Sequence, residues 1–105
     1  MEHVAALETI GEVVATLGLD LAFIGPGDLA TSMGHRGRAD HPEVQAVAMR
    51  LEEAIRGSPV VLGGVAPVPE QANAMIARGY RALVVGFDWS LLQRGTAAAV
   101  SGVKR

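Results

Sequence analysis

A chain of 105 residues has room for one modest domain, and its composition is globular, because half of the residues are hydrophobic. The formal net charge of −2 argues against a nucleic acid or an anionic membrane as a partner. The absence of cysteine excludes disulfides and thiolate metal sites, and no apolar run approaches the roughly 18–20 residues of a membrane span. We therefore expect a cytoplasmic protein.

The first predicted elements are a helix and a buried strand. Apolar residues recur at helical spacing from Val4 to Leu17, and Gly18 follows as a C-cap signal. The stretch Leu19–Ile24 is almost wholly apolar, which is typical of a strand buried on both faces. It stops at Gly25-Pro26-Gly27, a strong turn signal, and Asp28 comes next.

Asp28 has two interpretations at this point. An acidic residue just past the carboxyl end of a buried strand lies where α/β proteins place their chemistry. An Asp after Gly-Pro-Gly is also a good helix N-cap or Asx-turn residue. This stretch alone favours neither interpretation over the other.

The segment Gly25–Asp40 is predicted to be a long loop or a short helix, and loops of this length are usually functional. Its basic residues are His35, Arg36 and Arg38. We interpret them as a solvated rim. The chain has three histidines in all: His3, His35 and His41. Their spacing is not that of a metal cluster, and His41 before Pro42 is most simply a helix-start residue.

The remaining elements continue the alternation of helices and strands. They are a helix that begins at Pro42, a strand over Ser58–Gly63, a helix over about Pro67–Arg78, a strand over Ala82–Val85, a helix over about Asp88–Ala99 and a frayed tail over Ser101–Arg105. The helix from Pro42 has an apolar stripe made of Val44, Val47, Ala48, Leu51, Ala54 and Ile55. This order predicts a parallel sheet covered by helices. Three strands do not close a barrel, so we expect part of a larger structure.

Each predicted strand ends in glycine, at Gly25, Gly63-Gly64 and Gly86. These turns share one edge of the sheet, where glycine lets backbone N–H groups approach a ligand, and the helices predicted from Leu29 and Asp88 would favour an anion there. For any one glycine a tight turn is the simpler explanation, but the three together favour a site. The pattern matches neither a P-loop nor a dinucleotide fingerprint.

The carboxylates are the remaining candidates for chemistry. The only lysine is Lys104, in the tail, which argues against a Schiff-base mechanism within this chain. Glu2 lies 26 positions before Asp28, an interval of about one β/α unit, so both carboxylates would end adjacent strands at one edge. Two such carboxylates suit a hard divalent ion. Glu2 could equally be a disordered terminal residue.

A family resemblance adds to this interpretation. The run Phe23-Ile24-Gly25-Pro26-Gly27-Asp28-Leu29, followed by Ser32-Met33-Gly34, resembles the "FIGP-x-DL-x-x-S-x-G" signature of the HpcH/HpaI aldolase (citrate lyase) superfamily. Two later segments resemble that family's next landmarks in the same order: His41-Pro42-Glu43-Val44, and Val84-Val85-Gly86-Phe87-Asp88 with Leu91-Leu92. The resemblance runs over nearly the whole chain, and the most similar members are metal-dependent class II aldolases that act on pyruvate-derived 2-keto acids.

The resemblance implies a fold and a site. Residues 1–105 would be a partial α/β domain, the C-terminal half of a (β/α)₈ TIM barrel. Glu2 and Asp28 would hold Mg²⁺ or Mn²⁺. The backbone of Gly25, Pro26, Gly27 and Asp28 would receive the carboxylate of a small 2-keto acid, and the second substrate would be an aldehyde.

The resemblance also implies what this chain does not contain. The family's first four strands, its substrate-binding Arg and its catalytic His with an acidic partner all precede the position of Glu2. We therefore assign no catalytic residue, and we expect the isolated chain to be inactive. A homo-oligomer, or pairing with an N-terminal half-barrel, is expected. In the family the last helix is exchanged between subunits, which implies contacts at Trp89, Leu91 and Leu92.

Two alternatives stay open beside this interpretation. The chain could be a non-catalytic half-barrel module that folds only by pairing, because a three-stranded parallel sheet has exposed edges. It could also be a fragment of a phosphate-binding barrel, since Gly63-Gly64 and Gly86 precede the last two helices.

Overall fold

The computed structural model describes residues 1–104. These residues form five α-helices and three β-strands in the order α1 (Ala6–Val14), β1 (Leu21–Phe23), α2 (Pro26–Ser32), α3 (Pro42–Arg56), β2 (Val61–Val65), α4 (Pro69–Ala77), β3 (Ala82–Val84) and α5 (Asp88–Ser101). None of the helices within residues 1–104 has the length and apolar character that crossing a membrane requires.

The strands form one parallel sheet in the order β1-β2-β3. Ala22 of β1 lies opposite Leu62 of β2, and Gly64 of β2 lies opposite Leu83 of β3. The predicted α/β fold, with three parallel strands and alternating helices, is confirmed. Because the strands are parallel, their carboxyl ends share one edge of the sheet, and the loops that follow them begin there.

Met1 extends this sheet by one residue on the outer side of β1. Its amino group donates a hydrogen bond to the carbonyl oxygen of Phe23, and its carbonyl oxygen accepts one from the Gly25 N–H at 3.0 Å. A residue in a parallel ladder bonds in this way to the two neighbours of its opposite number, which here is Ile24. Met1 therefore occupies the place of a strand next to β1.

The core lies between one face of the sheet and α3. Four residues of α3 at helical spacing are buried: Val44, Ala48, Leu51 and Ile55. They belong to one cluster with Ile24 and Leu62, which are each 2% exposed. The predicted stripe is thus confirmed for these four, whereas Val47 and Ala54 at its margins are only half-buried.

The opposite face of the sheet remains open to water. Leu21, Val61 and Val84 lie on this face and are 41%, 39% and 37% exposed. The expectation that the first strand is buried on both faces is therefore wrong within the described residues. Its apolar run reflects a second face that three strands and their helices do not cover.

Several element boundaries differ from prediction. Ala15 is the C-cap of α1, so Gly18, with φ of +84°, lies in the following turn and does not cap the helix. The second strand begins at Val61, because the Ser58 hydroxyl accepts the Val60 N–H and holds the preceding residues in a turn. The last helix extends to Ser101, the first residue of the predicted tail, and Arg105 lies outside the described residues.

A buried polar network joins α3 to the connection between α4 and β3. The Glu52 side chain is only 7% exposed, and its Oε1 accepts a hydrogen bond from the Tyr80 hydroxyl at 2.7 Å and one from the Arg78 guanidinium at 3.3 Å. These bonds offset the cost of burying a carboxylate in the core. Burial, followed by the hydrogen bond to Glu52, raises the pKa of the Tyr80 phenol.

We predict a measurable titration for Tyr80, which is the only tyrosine of the chain. Its phenolate absorbance should appear above the ordinary pKa of about 10 in the folded chain and near 10 in urea. Since the folded pKa is raised, the linked stability is complete below pH 10 and is lost as the pH rises above it. Tyr80→Phe should cost about 1–3 kcal/mol at neutral pH and remove that alkaline loss. Titration of Tyr80 at its ordinary pKa in the folded chain would contradict this network.

The last helix exposes several large apolar side chains. None of the residues of α5 is buried, and Trp89, Leu91 and Leu92 are 61%, 52% and 71% exposed. These are the three residues for which the family resemblance implies contacts between subunits. Large exposed apolar groups clustered on one helix are typical of an interaction surface.

We predict that this surface drives self-association. Leu92→Glu should shift the chain toward the monomer in light scattering, because a buried contact would have to desolvate a carboxylate. The matched control is Leu17→Glu, since Leu17 is fully exposed and lies outside α5. A wild-type chain that stays monomeric at high concentration, or equal effects of the two substitutions, would contradict the prediction.

Candidate functional site

The turn after β1 starts α2 at the carboxyl edge of the sheet. Gly25 is the N-cap of α2 and Pro26 follows in the first turn, where proline loses no helical hydrogen bond. Leu29 and Ala30 are completely buried and anchor this helix of seven residues. The predicted helix start at Leu29 is therefore wrong by three residues, and the Gly25–Asp28 backbone forms the first turn.

Asp28 lies in the first turn of α2 and is exposed. The N-cap interpretation of Asp28 is wrong, because Gly25 occupies that position and no side chain caps the helix. Among residues 1–104 the Asp28 carboxylate has no ion-pair partner within 4 Å. It is thus available to a ligand at the carboxyl edge of the sheet.

Glu2 reaches the same edge from the other side of β1. It follows Met1, which pairs with the end of β1, and its side chain lies against Gly25. A Cβ atom built on Gly25 would lie 2.8 Å from the Glu2 Cγ and 3.4 Å from its Oε1. Gly25 is therefore required for this close approach. Glu2 therefore lies next to the turn that contains Asp28.

Ser32 holds the segment that carries Glu2 in place. Its hydroxyl accepts a hydrogen bond from the Val4 N–H at 3.0 Å and donates one to the Leu29 carbonyl oxygen at 2.7 Å. The N-terminal segment is thereby bonded to α2 at Ser32 and to β1 through Met1. Ser32 belongs to the signature in the sequence, but the pattern does not indicate this role, because its partner Val4 lies 28 positions away.

Packing and backbone conformation account for the other strand-end glycines. Gly63 and Gly64 lie inside β2, and added Cβ atoms would meet the Phe23 ring at 2.5 Å and Tyr80 and Met75 at 2.7 Å. They make room for these neighbouring side chains. Gly86 has φ of +81°, which accounts for glycine in the turn before α5. The expectation that Gly63-Gly64 ends the second strand is wrong, which removes the main support for a phosphate-binding fragment.

A second cluster joins the α2–α3 connection to the start of α3. His35 Nε2 lies 2.9 Å from Glu43 Oε2, and the rings of His35 and His41 stack with their centroids 3.7 Å apart. His41 is the N-cap of α3, as its position before Pro42 predicts, and its Nδ1 accepts the Glu43 N–H at 3.1 Å. The hydrogen bond with His35, and then the charge of His35, lower the pKa of the Glu43 carboxyl.

This cluster corrects the interpretation of the histidines. His35 and His41 do come together, although His3 does not join them, and His35 is half-buried and paired while Arg36 and Arg38 are exposed. The sequence features that indicate this approach of His35 and His41 are Gly34 and Gly37. Both adopt positive φ and turn the connection back toward α3.

The sequence of this chain is similar to those of known proteins. The sequence model of the family described as HpcH/HpaI aldolase/citrate lyase matches residues 1–94. The hydroxypyruvate/pyruvate aldolase of Chromohalobacter salexigens is 34% identical over 104 residues, which are 99% of this chain and 41% of that protein. The 4-hydroxy-2-oxo-heptane-1,7-dioate aldolase of Klebsiella pneumoniae is 40% identical in an alignment of 98 residues that covers 89% of this chain and 35% of that protein.

The fold agrees with that of solved structures. A HpcH/HpaI aldolase/citrate lyase family protein from Burkholderia cenocepacia superposes with a TM-score of 0.90 and 34% identity, over 95% of this chain and 39% of that one. The chain thus spans about two fifths of the length of the proteins that it matches.

Proposed function

Because the chain belongs to the HpcH/HpaI aldolase/citrate lyase family, we propose that it is part of a lyase that cleaves and forms carbon–carbon bonds of pyruvate-derived 2-keto acids. The observation that supports this proposal is that the Glu2 side chain lies against Gly25, the N-cap of the helix whose first turn contains Asp28. The names of the relatives support it, since one is a hydroxypyruvate/pyruvate aldolase. The aldehyde is the second substrate of such a reaction.

The residues at this turn fit a divalent metal ion. Glu2 and Asp28 offer carboxylate oxygens, which Mg²⁺ and Mn²⁺ prefer, and a Cβ on Gly25 would intrude on Glu2. We assign these two carboxylates as the ligands that hold the ion. When bound, a divalent ion polarises a keto oxygen as a Lewis acid.

The chain's own backbone supplies the substrate contact. Gly25, Pro26, Gly27 and Asp28 form the first turn of α2, which no side chain caps. The N–H groups of Gly27 and Asp28 are at the helix start, where no preceding turn satisfies them. We assign them to the carboxylate of the 2-keto acid, which charge-assisted hydrogen bonds would orient.

The proton transfers need groups from elsewhere. Within residues 1–104 the only titratable side chains that we assign to the site are two carboxylates, and both are committed to the metal. We therefore propose that a general base comes from another segment or chain. Such a partner would seat beside Met1, at the open edge of the sheet, and over the uncovered face formed by Leu21, Val61 and Val84.

The same open face favours a second candidate function. Exposed apolar side chains on three neighbouring strands are what a non-catalytic assembly module would bury against a partner. The two candidates differ in one measurable respect, because only the aldolase requires Asp28.

We predict that the isolated chain has negligible aldolase activity toward pyruvate and a simple aldehyde. Loss of a general base alone costs about 10²–10⁴-fold in rate. Activity should appear when an N-terminal half-barrel is supplied, and Asp28→Ala should then abolish it. The matched control is Asp20→Ala, because Asp20 is an exposed carboxylate just before β1, at the other edge of the sheet. Turnover that survives Asp28→Ala would overturn the site assignment, and a complex without turnover would favour the assembly module.

We predict that Gly25→Ala weakens Mn²⁺ binding, by the roughly 10–100-fold typical of changes next to metal ligands. The added methyl group would lie 2.8 Å from the Glu2 Cγ and push that carboxylate away, while the flexible side chain spares the fold. Gly27→Ala is the control, since its Cβ meets nothing within 4 Å. Titration with Mn²⁺, followed by the electron paramagnetic resonance signal of the free ion, measures the affinity of both variants. Equal affinities of the two variants would remove Glu2 from the site.

A further inference from the structure

Two imidazoles and a carboxylate meet at a position separate from the Gly25 turn. His35, His41 and Glu43 each offer one ligand atom, and these three atoms lie within 4.8 Å of one another. His35 and His41 are half-buried, and Glu43 is exposed, so the cluster opens to solvent on one side. The aldolase site proposed above uses none of the three residues.

The backbone places this cluster before any metal is bound. The His35 N–H donates a hydrogen bond to the carbonyl oxygen of Ala30, a buried residue of α2, at 2.8 Å. The His41 N–H donates to the Arg38 carbonyl oxygen at 2.9 Å, and His41 then caps α3. Both imidazoles are therefore attached to ordered backbone, and Glu43 is in the first turn of α3.

We propose that His35, His41 and Glu43 form a second metal site, selective for Zn²⁺ or a similar transition-metal ion, with water as the fourth ligand. Two imidazole nitrogens and one carboxylate oxygen are a ligand set that zinc takes when one position stays open. Mg²⁺ and Mn²⁺ prefer oxygen ligands, so the two sites differ in the ion that they select. The sequence has no cysteine that would compete for zinc.

Coordination requires a defined local change. Zinc ligand atoms about 2.0–2.2 Å from the ion lie roughly 3.3 Å from one another, so atoms up to 4.8 Å apart must close by at most about 1.5 Å. The stacked rings must also turn until their lone pairs converge. The His41 ring loses its bond from the Glu43 N–H in the process, because coordination through Nδ1 takes that lone pair and coordination through Nε2 leaves a proton on Nδ1.

The competing explanation is structural. In it, His41 only caps α3 and His35 only pairs with Glu43. His41→Asn separates the two explanations, because asparagine is also a strong N-cap residue but is not an imidazole. Helix content measured by circular dichroism checks that the cap survives in this variant.

The experiment is a calorimetric titration of the whole chain with Zn²⁺ alone, supported by the visible absorption of bound Co²⁺. We expect one site with nitrogen ligands, and His35→Ala and His41→Asn should each weaken it at least 10-fold, as should Glu43→Gln. His3→Ala is the matched control, since His3 is the remaining histidine and lies outside the cluster.

Asp28→Ala distinguishes this site from the proposed aldolase site. It should leave Zn²⁺ binding by the histidines unchanged even if it abolishes Mn²⁺ binding. The proposal is overturned if the chain binds no Zn²⁺, if His35→Ala and His41→Asn bind it as tightly as the wild type, or if Asp28→Ala removes the binding.

Discussion

The parallel hydrogen-bond ladder at the end of β1 is the interaction on which the candidate site depends. Met1 pairs with β1 on one side and β2 pairs with it on the other, so the chain direction is the same in all three. Glu2 and the Gly25 turn follow their respective strand positions and so emerge at the same edge. An antiparallel partner would have sent Glu2 to the opposite edge of the sheet.

The same ladder explains why only one face of the sheet is covered. Side chains alternate along each strand, and the face with Ala22, Ile24 and Leu62 packs under α3, while the face with Leu21 and Val61 does not. The continuous apolar runs in the sequence are typical of strands that are covered on both faces, whereas this three-stranded sheet is covered on one. A closed barrel would bury both faces, which is consistent with the share of the family's length that this chain spans.

Much of this architecture follows from the sequence. The alternation of apolar strands and amphipathic helices gives the parallel sheet, and the spacing of Val44, Ala48, Leu51 and Ile55 gives the buried face of α3. The glycines are ambiguous in the sequence, because glycine occurs here for three different structural reasons. Gly25 admits a neighbouring carboxylate, Gly63 and Gly64 admit neighbouring rings, and Gly86 adopts a left-handed backbone. Only the three-dimensional neighbours distinguish these cases. The contact between Ser32 and Val4 could not be predicted from the sequence for the same reason.

The short helix α2 connects the two proposed metal sites. Its first turn carries Asp28, and the carbonyl oxygen of Ala30 near its end holds the backbone of His35. A helix of seven residues has little stability of its own, so its position depends on the complete burial of Leu29 and Ala30. The positions of both sites therefore depend on the same two buried side chains. An ion bound by His35, His41 and Glu43 would hold the connection after α2 against α3, and would restrict the end of the helix whose beginning bears the Asp28 carboxylate.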